Sequence, residues 1–210
     1  MLECRFKVLV MRDSSAEEWL RAWSALYGDE SNSDEKEYRD LILEHQVRPT
    51  RYYERIGQWK DSATGGRWSP TAESVAYQVW KLAERKRPTC PSDNEVRTFL
   101  DFWTKEECHF QRSSRTITKH FGVPRSATLL HFLSGGRWPI YDSRANRGVA
   151  CLLGQDESEI SVENYLNFYC PVFKEIAALC GTEKNRRELD RALLMFGARE
   201  SYSIPIRMLK

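Results

Sequence analysis

The stretch ITKHFGVPRSATLLHFLSGGRWPIYDSRANRGVACLLG, from Ile117 to Gly154, decides how this chain is read. Two descriptions fit its outline. In one, a short helix, the turn Phe121-Gly122-Val123-Pro124 and a second helix form a helix-turn-helix whose second helix lies in the DNA major groove. In the other, the turn is a backbone clamp on DNA phosphates, feeding a buried helix and then a loop that presents Asp142. The second helix separates them. A recognition helix must keep one polar face free for base edges, yet Ala127, Leu129, Leu130, Phe132 and Leu133 are spread around the axis. A helix that is apolar on most sides belongs inside a fold.

The clamp reading places Gly122 where the backbone can turn left-handed and expose amide N–H groups. Pro124 is well placed in a first helical turn. Amides at a helix N-terminus bind anions, and a DNA phosphate with Lys119 and Arg125 nearby fits that description.

Charge supports the same reading. The net charge of +2 is close to neutral. Between His109 and Arg147, however, lie Arg112, Arg115, Lys119, Arg125, Arg137, Arg144 and Arg147 against the single acid Asp142, which leaves the rest of the chain net acidic. A locally basic face is what phosphate binding requires, although a solvated face with no partner has the same composition.

Working outward, helical periodicity dominates. SSAEEWLRAWSALYG opens with serine caps and early acids and spaces Trp19, Leu20, Trp23 and Leu26 as a helix does. SDEKEYRDLILEH, PTRYYERIGQWK, PTAESVAYQVWKLAERKR, DNEVRTFLDFWTKEECHF, SVENYLNFYCPVFKEIAALCG and NRRELDRALLMFG continue the pattern. DSATGGRWSP reads as a loop. Only RFKVLVM reads as a strand, and one strand makes no sheet. The expectation is therefore an all-α protein of nine or ten helices: one compact domain over 1–210, or two lobes, about 1–66 with the C-terminal helices and about 70–155 carrying the hairpin.

At 210 residues, 41% hydrophobic and 30% charged, the composition is that of an ordinary globular protein. No apolar run approaches the roughly 20 residues that span a bilayer, and the start carries no cleavage-site pattern, so the expectation is a cytoplasmic protein, nucleoid-associated if it binds DNA, with no membrane partner. The six cysteines are scattered singly, without the spacing of a zinc site or an iron–sulfur cluster; the expectation is no metal, no cofactor and no obligatory protein partner.

FGVPRSATLLHFLSGGRWPIYDSRANR resembles the signature region of the helix-hairpin-helix DNA glycosylase superfamily, of the endonuclease III and adenine-mismatch glycosylase type. That family has a Gly-hydrophobic-Gly hairpin, an apolar helix and a hydrophobic-Pro-x-x-Asp loop opening another helix. Gly122-Val123 matches the first two hairpin positions. Pro139-Ile140-Tyr141-Asp142 matches the loop, so the resemblance implies that Asp142 is the catalytic aspartate of a DNA-binding base-excision enzyme. The departures are specific. Pro124 stands in place of the second hairpin glycine and removes an N–H donor. Ser126 stands near the position of the Schiff-base lysine of bifunctional members, so a lyase activity is not implied. The cluster cysteines of some members are absent, and SRANR replaces the usual histidine after the aspartate. The match covers about 30 of 210 residues.

Such an enzyme extrudes its target nucleotide, and a carboxylate stabilises the positive sugar or activates water. Arg144, Arg147 and Arg137 are candidates for phosphate contacts, with Trp138 and Tyr141 as candidates for stacking or wedging. Tyr52, Tyr53 and Trp59, interleaved with Arg51, Arg55 and Lys60, form a second candidate wall for a base pocket. Each has a plainer explanation. Asp142 is also a good helix N-cap, the aromatic rings also suit packing, and His131 in an apolar helix suits a satisfied core histidine.

Overall fold

A computed structural model of the chain describes residues 15–27, 33–49, 51–61, 66–83, 92–112, 115–182 and 186–198. They are mostly helical with one small sheet. In chain order they form α1 (Ala16–Ala25), α2 (Ser33–Leu43), a 3-10 turn at Glu44–Gln46, α3 (Tyr52–Asp61), β1 (Gly66–Pro70), α4 (Val75–Ala83) and α5 (Asp93–Lys105). Then come β2 (Glu107–Arg112), β3 (Arg115–His120), α6 (Gly122–Leu133), α7 (Ser143–Leu153) and α8 (Val162–Asn164). A π-turn at Tyr165–Tyr169 leads into α9 (Cys170–Leu179), and α10 (Arg186–Ala198) follows.

Contacts divide the chain into two compact units, Met1–Asp29 with Pro139–Lys210, and Glu30–Trp138. The lobes expected from sequence met near the glycine-rich loop, about 66–70; the division falls after Asp29 and after Trp138.

The all-α expectation holds in outline, and the Glu30–Trp138 unit adds one small sheet to it. Its antiparallel order is β1-β2-β3. Residues read as the tail of one helix (ECHF), the start of another (ITKH) and a loop (GRWSP) are its three strands. The reason is local chemistry that helical periodicity hides: Thr116, Ile117 and Thr118 are three β-branched residues in a row, stiff at χ1 and better suited to a pleat. The strand expected at RFKVLVM lies outside the described residues.

The inner face of that sheet builds the core of the unit. Trp68 of β1, 1% exposed, meets Phe121 edge-on at 4.7 Å and Trp80 at 6.1 Å. Gly57 of α3 admits the strand, since a Cβ there would lie 2.5 Å from the Trp68 carbonyl oxygen. Helix α6 is buried along most of its length, as its all-round apolarity requires. Its Ser126 and Thr128 hydroxyls turn back onto the Gly122 and Pro124 carbonyls at 2.9 and 2.8 Å. His131 of the same helix is a satisfied core residue: Nδ1 donates to the Trp138 carbonyl at 2.6 Å, so Nε2 accepts from the Tyr38 hydroxyl at 3.0 Å.

In the unit of Met1–Asp29 and Pro139–Lys210, α1 opens with a capping box between Ser15 and Glu18. Its Trp19 and Trp23 present their faces or edges to Phe196 of α10 at 5.6 and 5.0 Å. Helices α7 and α10 touch backbone to backbone through Gly148 and Gly197.

Three tyrosines of this unit, Tyr141, Tyr165 and Tyr169, are fully buried, as is Tyr52 of the other unit. Burial pushes the Tyr141 phenol up to about 12 and holds Tyr52, Tyr165 and Tyr169 well above the usual tyrosine range. These groups stay protonated in the fold while the unfolded chain ionises near pH 10. Their stabilisation is whole below pH 10 and is lost as pH rises toward and past 12, at about 1.4 kcal/mol per pH unit per tyrosine. Phenolate absorbance under alkaline titration should therefore rise for these tyrosines only together with loss of the helical circular dichroism. A smooth pre-unfolding titration of every tyrosine near pH 10 would contradict their burial.

Candidate functional site

The Pro139–Asp142 loop is held from below by side chains remote in sequence. The Tyr165 hydroxyl donates to the Pro139 carbonyl at 2.9 Å, and the Tyr169 hydroxyl donates to the Ile140 carbonyl at 3.1 Å. Asp190 of α10 accepts from the Ile140 amide at 3.3 Å. Two hydroxyls reach successive carbonyls because Tyr165 and Tyr169, four residues apart at the two ends of the π-turn, lie on one side of it. Their rings stack at 6.2 Å with 21° between planes.

Asp142 follows in extended backbone, and its Oδ1 accepts from the Ala145 amide at 3.0 Å, capping α7. The side chain is half-buried. Its negative charge, with that of Asp190, helps to push the neighbouring Tyr169 phenol up, although burial is the larger cause. Beneath the cap, Asn164 Nδ2 donates to the Tyr141 hydroxyl at 2.6 Å and to Ser158 Oγ at 2.9 Å, while Asn146 Nδ2 donates to the Ser158 carbonyl at 2.7 Å. This network ties the first turn of α7 to the loop that leads into α8.

The other candidates fall as follows. Gly122 has φ +71, the left-handed conformation expected of it, and Val123 is buried. The residues before them are strand β3, joined to α6 through Phe121, so neither a helix-turn-helix nor a helix on both sides of the turn is formed here. Arg125 is engaged internally: its guanidinium lies over the Phe110 ring at 4.0 Å and 3.6 Å from the Asp61 carboxylate. Arg147 pairs with Glu157 at 3.0 Å. Arg137, Arg144 and Lys119 are exposed.

The aromatic candidates are mostly core. Tyr52, Tyr53 and Tyr141 are between 0% and 1% exposed, so they are walls of the interior and not of a base pocket. Trp59 donates to the Asp34 carbonyl at 2.9 Å and packs edge-on against Phe132 at 5.0 Å. Trp138 is partly covered. Ser126, at 0% exposure, is no nucleophile. Asp142, Arg144 and Arg147 belong to one unit, while Lys119, Gly122, Val123, Arg125, Arg137 and Trp138 belong to the other.

What the sequence reading missed is the outward surface of the sheet. The register sets Arg67, Gln111 and Thr116 in one row and Ser69, His109 and Thr118 in another. Arg67 Nε donates to Gln111 Oε1 at 2.6 Å, and Thr118 Oγ1 lies 3.2 Å from His109 Nδ1. The alternation in RTITKH was the available signal.

Among the described residues no group of three or more histidines, cysteines or carboxylates is placed to hold a metal ion, and no helix is long and apolar enough to cross a membrane. Burial holds the Cys108 thiol up at about 12 and the Cys180 thiol up at about 11, so both are unreactive packing groups. Comparison with protein-family models, with curated proteins and with solved structures found no match.

Proposed function

We propose that this chain binds DNA and hydrolyses an N-glycosidic bond, with Asp142 as the catalytic carboxylate. The observation that supports the reading is the excess of constraint on its loop. A helix cap needs only the Asp142 Oδ1 contact to the Ala145 amide, worth about 1 kcal/mol. Here two buried tyrosines and a buried aspartate also grip the backbone ahead of it. Rigid support of this kind is what a preorganised charge requires.

In the proposed reaction the target nucleotide leaves the base stack. The C1′–N bond breaks with its electron pair departing on the base. The Asp142 carboxylate balances the positive sugar and accepts a proton from the water whose oxygen bonds to C1′. That proton then passes to the departing base. No lysine nucleophile takes part, in keeping with Ser126 near the position where the resembling family's bifunctional members carry one.

The test is Asp142→Asn, which keeps a good cap and so keeps the fold. Wild-type and variant protein are incubated with duplex oligonucleotides carrying a panel of deaminated, oxidised or alkylated bases. The expected result is base release by the wild type and a loss of about 10²–10³-fold in the variant, with duplex binding retained. Equal release by the variant reduces Asp142 to a cap, and no release by the wild type from any member of the panel removes the enzymatic reading.

A further inference from the structure

We propose that the free edge of strand β3 takes up an extended acidic peptide as a further strand of the sheet, with Arg115 and Lys119 selecting it by charge. The proposal is independent of the glycosidic reading, which rests on Asp142 and its supports in the other unit.

The edge is open at the backbone. In an antiparallel pair each residue sends its amide and its carbonyl to one side, and successive residues alternate sides. The Phe121 amide donates to the Glu106 carbonyl at 2.9 Å, while the Thr71 amide donates to the Glu107 carbonyl at 3.2 Å on the other side of β2. Continued along β3, that alternation directs Arg115, Ile117 and Lys119 toward β2. The amides and carbonyls of Thr116, Thr118 and His120 therefore point away from the sheet. Strand β3 ends the order β1-β2-β3, and all six of its residues are exposed. Edge strands are commonly closed by a proline or a bulge. This one has neither, since its register with β2 runs unbroken from Arg115 to His120.

Side chains set the chemistry of the occupant. Arg115, Ile117 and Lys119 share one face of β3, the face of Phe110 and Cys108 in the neighbouring strand. Ile117 is 47% exposed. Among the described residues neither Arg115 nor Lys119 has an ion pair, whereas Arg125, over Phe110 on that face, is matched to Asp61. Strand β3 holds no acid, and Glu107, opposite His120, lies on the other face. In an added antiparallel strand, the residues opposite Arg115, Ile117 and Lys119 fall at pairs without mutual hydrogen bonds, where side chains come closest. Opposite charges at such pairs are favourable and like charges are not. The complementary segment reads acid-x-apolar-x-acid, and β3 spans about 20 Å, enough to seat it.

Other occupants fit less well. Two copies joined through β3 would gather Arg115 and Lys119 of both with no acid between them. A nucleic acid would meet the outward carbonyls of Thr116, Thr118 and His120, which repel phosphate. A peptide backbone answers amide and carbonyl alike. Lysine on an edge also turns away strands that lack an acid, so the charge that guards this edge selects its partner.

The test follows backbone amide resonances of the isotope-labelled full chain by NMR as a peptide containing Glu-Thr-Val-Thr-Glu is added. Comparison probes are Lys-Thr-Val-Thr-Lys, the acidic peptide N-methylated at the amides that would face β3, and a mixed-sequence DNA duplex. The acidic peptide should shift the amides of Thr116, Thr118 and His120 most, and the lysine peptide should leave them in place. N-methylation should weaken binding at least about tenfold. Equal binding of the methylated peptide would exclude strand addition. The pair Arg115→Glu with Lys119→Glu should bind the acidic peptide at least about tenfold more weakly and now prefer the lysine peptide. An unchanged preference would mean that these charges select nothing. Thr118→Pro removes an amide that points away from the sheet and should abolish the shifts while the melting temperature is nearly kept. The charge variant alters only exposed side chains, so it decides the matter if the proline variant unfolds. Shifts of the same amides by the duplex would give the edge to nucleic acid, and shifts with protein concentration alone would give it to a second copy. Either result overturns the proposal, as does the absence of any shift at β3.

Discussion

Gly197→Ala is expected to destabilise the unit of Met1–Asp29 and Pro139–Lys210 by about 3–5 kcal/mol, the top of the range for a single added methyl group. A Cβ at Gly197 would lie 1.8 Å from the Arg144 carbonyl oxygen and 2.7 Å from the Gly148 amide nitrogen. Both are backbone atoms, so no side chain can swing aside, and α7 and α10 must move apart. Gly148→Ala meets the same obstacle from the other helix, 2.4 Å from the Leu193 carbonyl oxygen. Chemical denaturation of wild type and variants measures the effect, and a fall in melting temperature on the order of 10 °C should accompany it. Since Asp142 caps α7 and α10 carries Asp190, separation of these helices should also disturb the loop that Asp190 holds. A loss under 1 kcal/mol for Gly197→Ala would mean that the helices do not touch in this way.

Trp68→Ala should cost a similar amount, about 3–5 kcal/mol, in the Glu30–Trp138 unit. The ring is 1% exposed and is enclosed by Trp80 and Phe121. Its removal takes a large apolar surface out of the core and leaves a cavity behind a strand pressed against Gly57. Trp68→Phe should cost far less, about 1 kcal/mol, because it keeps much of the ring and deletes an indole N–H that is buried without an acceptor. Ile117→Thr on β3, at a side chain 47% exposed, should be close to neutral. Equal losses for Trp68→Ala and Ile117→Thr would place the core of the unit elsewhere.

These positions show which features of the chain were legible in advance. The capping serine at 15, the left-handed glycine at 122 and the N-cap at Asp142 follow from neighbours within a few residues, and each is found in the structure. The burial of α6 was equally readable, because apolar residues on most sides of a helix leave no face for water. The sheet was missed for a related reason. Its strands are five or six residues long, and β1 is separated from β2 by two helices, so no window of sequence contains the pairing. The clustering of charge from His109 to Arg147 was visible, but its distribution between core contacts and open surface was not.

The sequence by itself determined a mostly helical protein, the turn at Gly122 and the aspartate that opens α7, since these depend on backbone preference and short-range periodicity. Tertiary structure decided which cations remain open, Arg115 and Lys119 and not Arg125 or Arg147, because a salt bridge such as Arg125 to Asp61 joins residues far apart in the chain. It also decided that Tyr52, Tyr53 and Tyr141 serve the interior, and that Tyr165, Tyr169 and Asp190 hold the Asp142 loop. An aromatic ring or a hydroxyl carries no local mark of its destination. Only the packing of distant segments assigns it one.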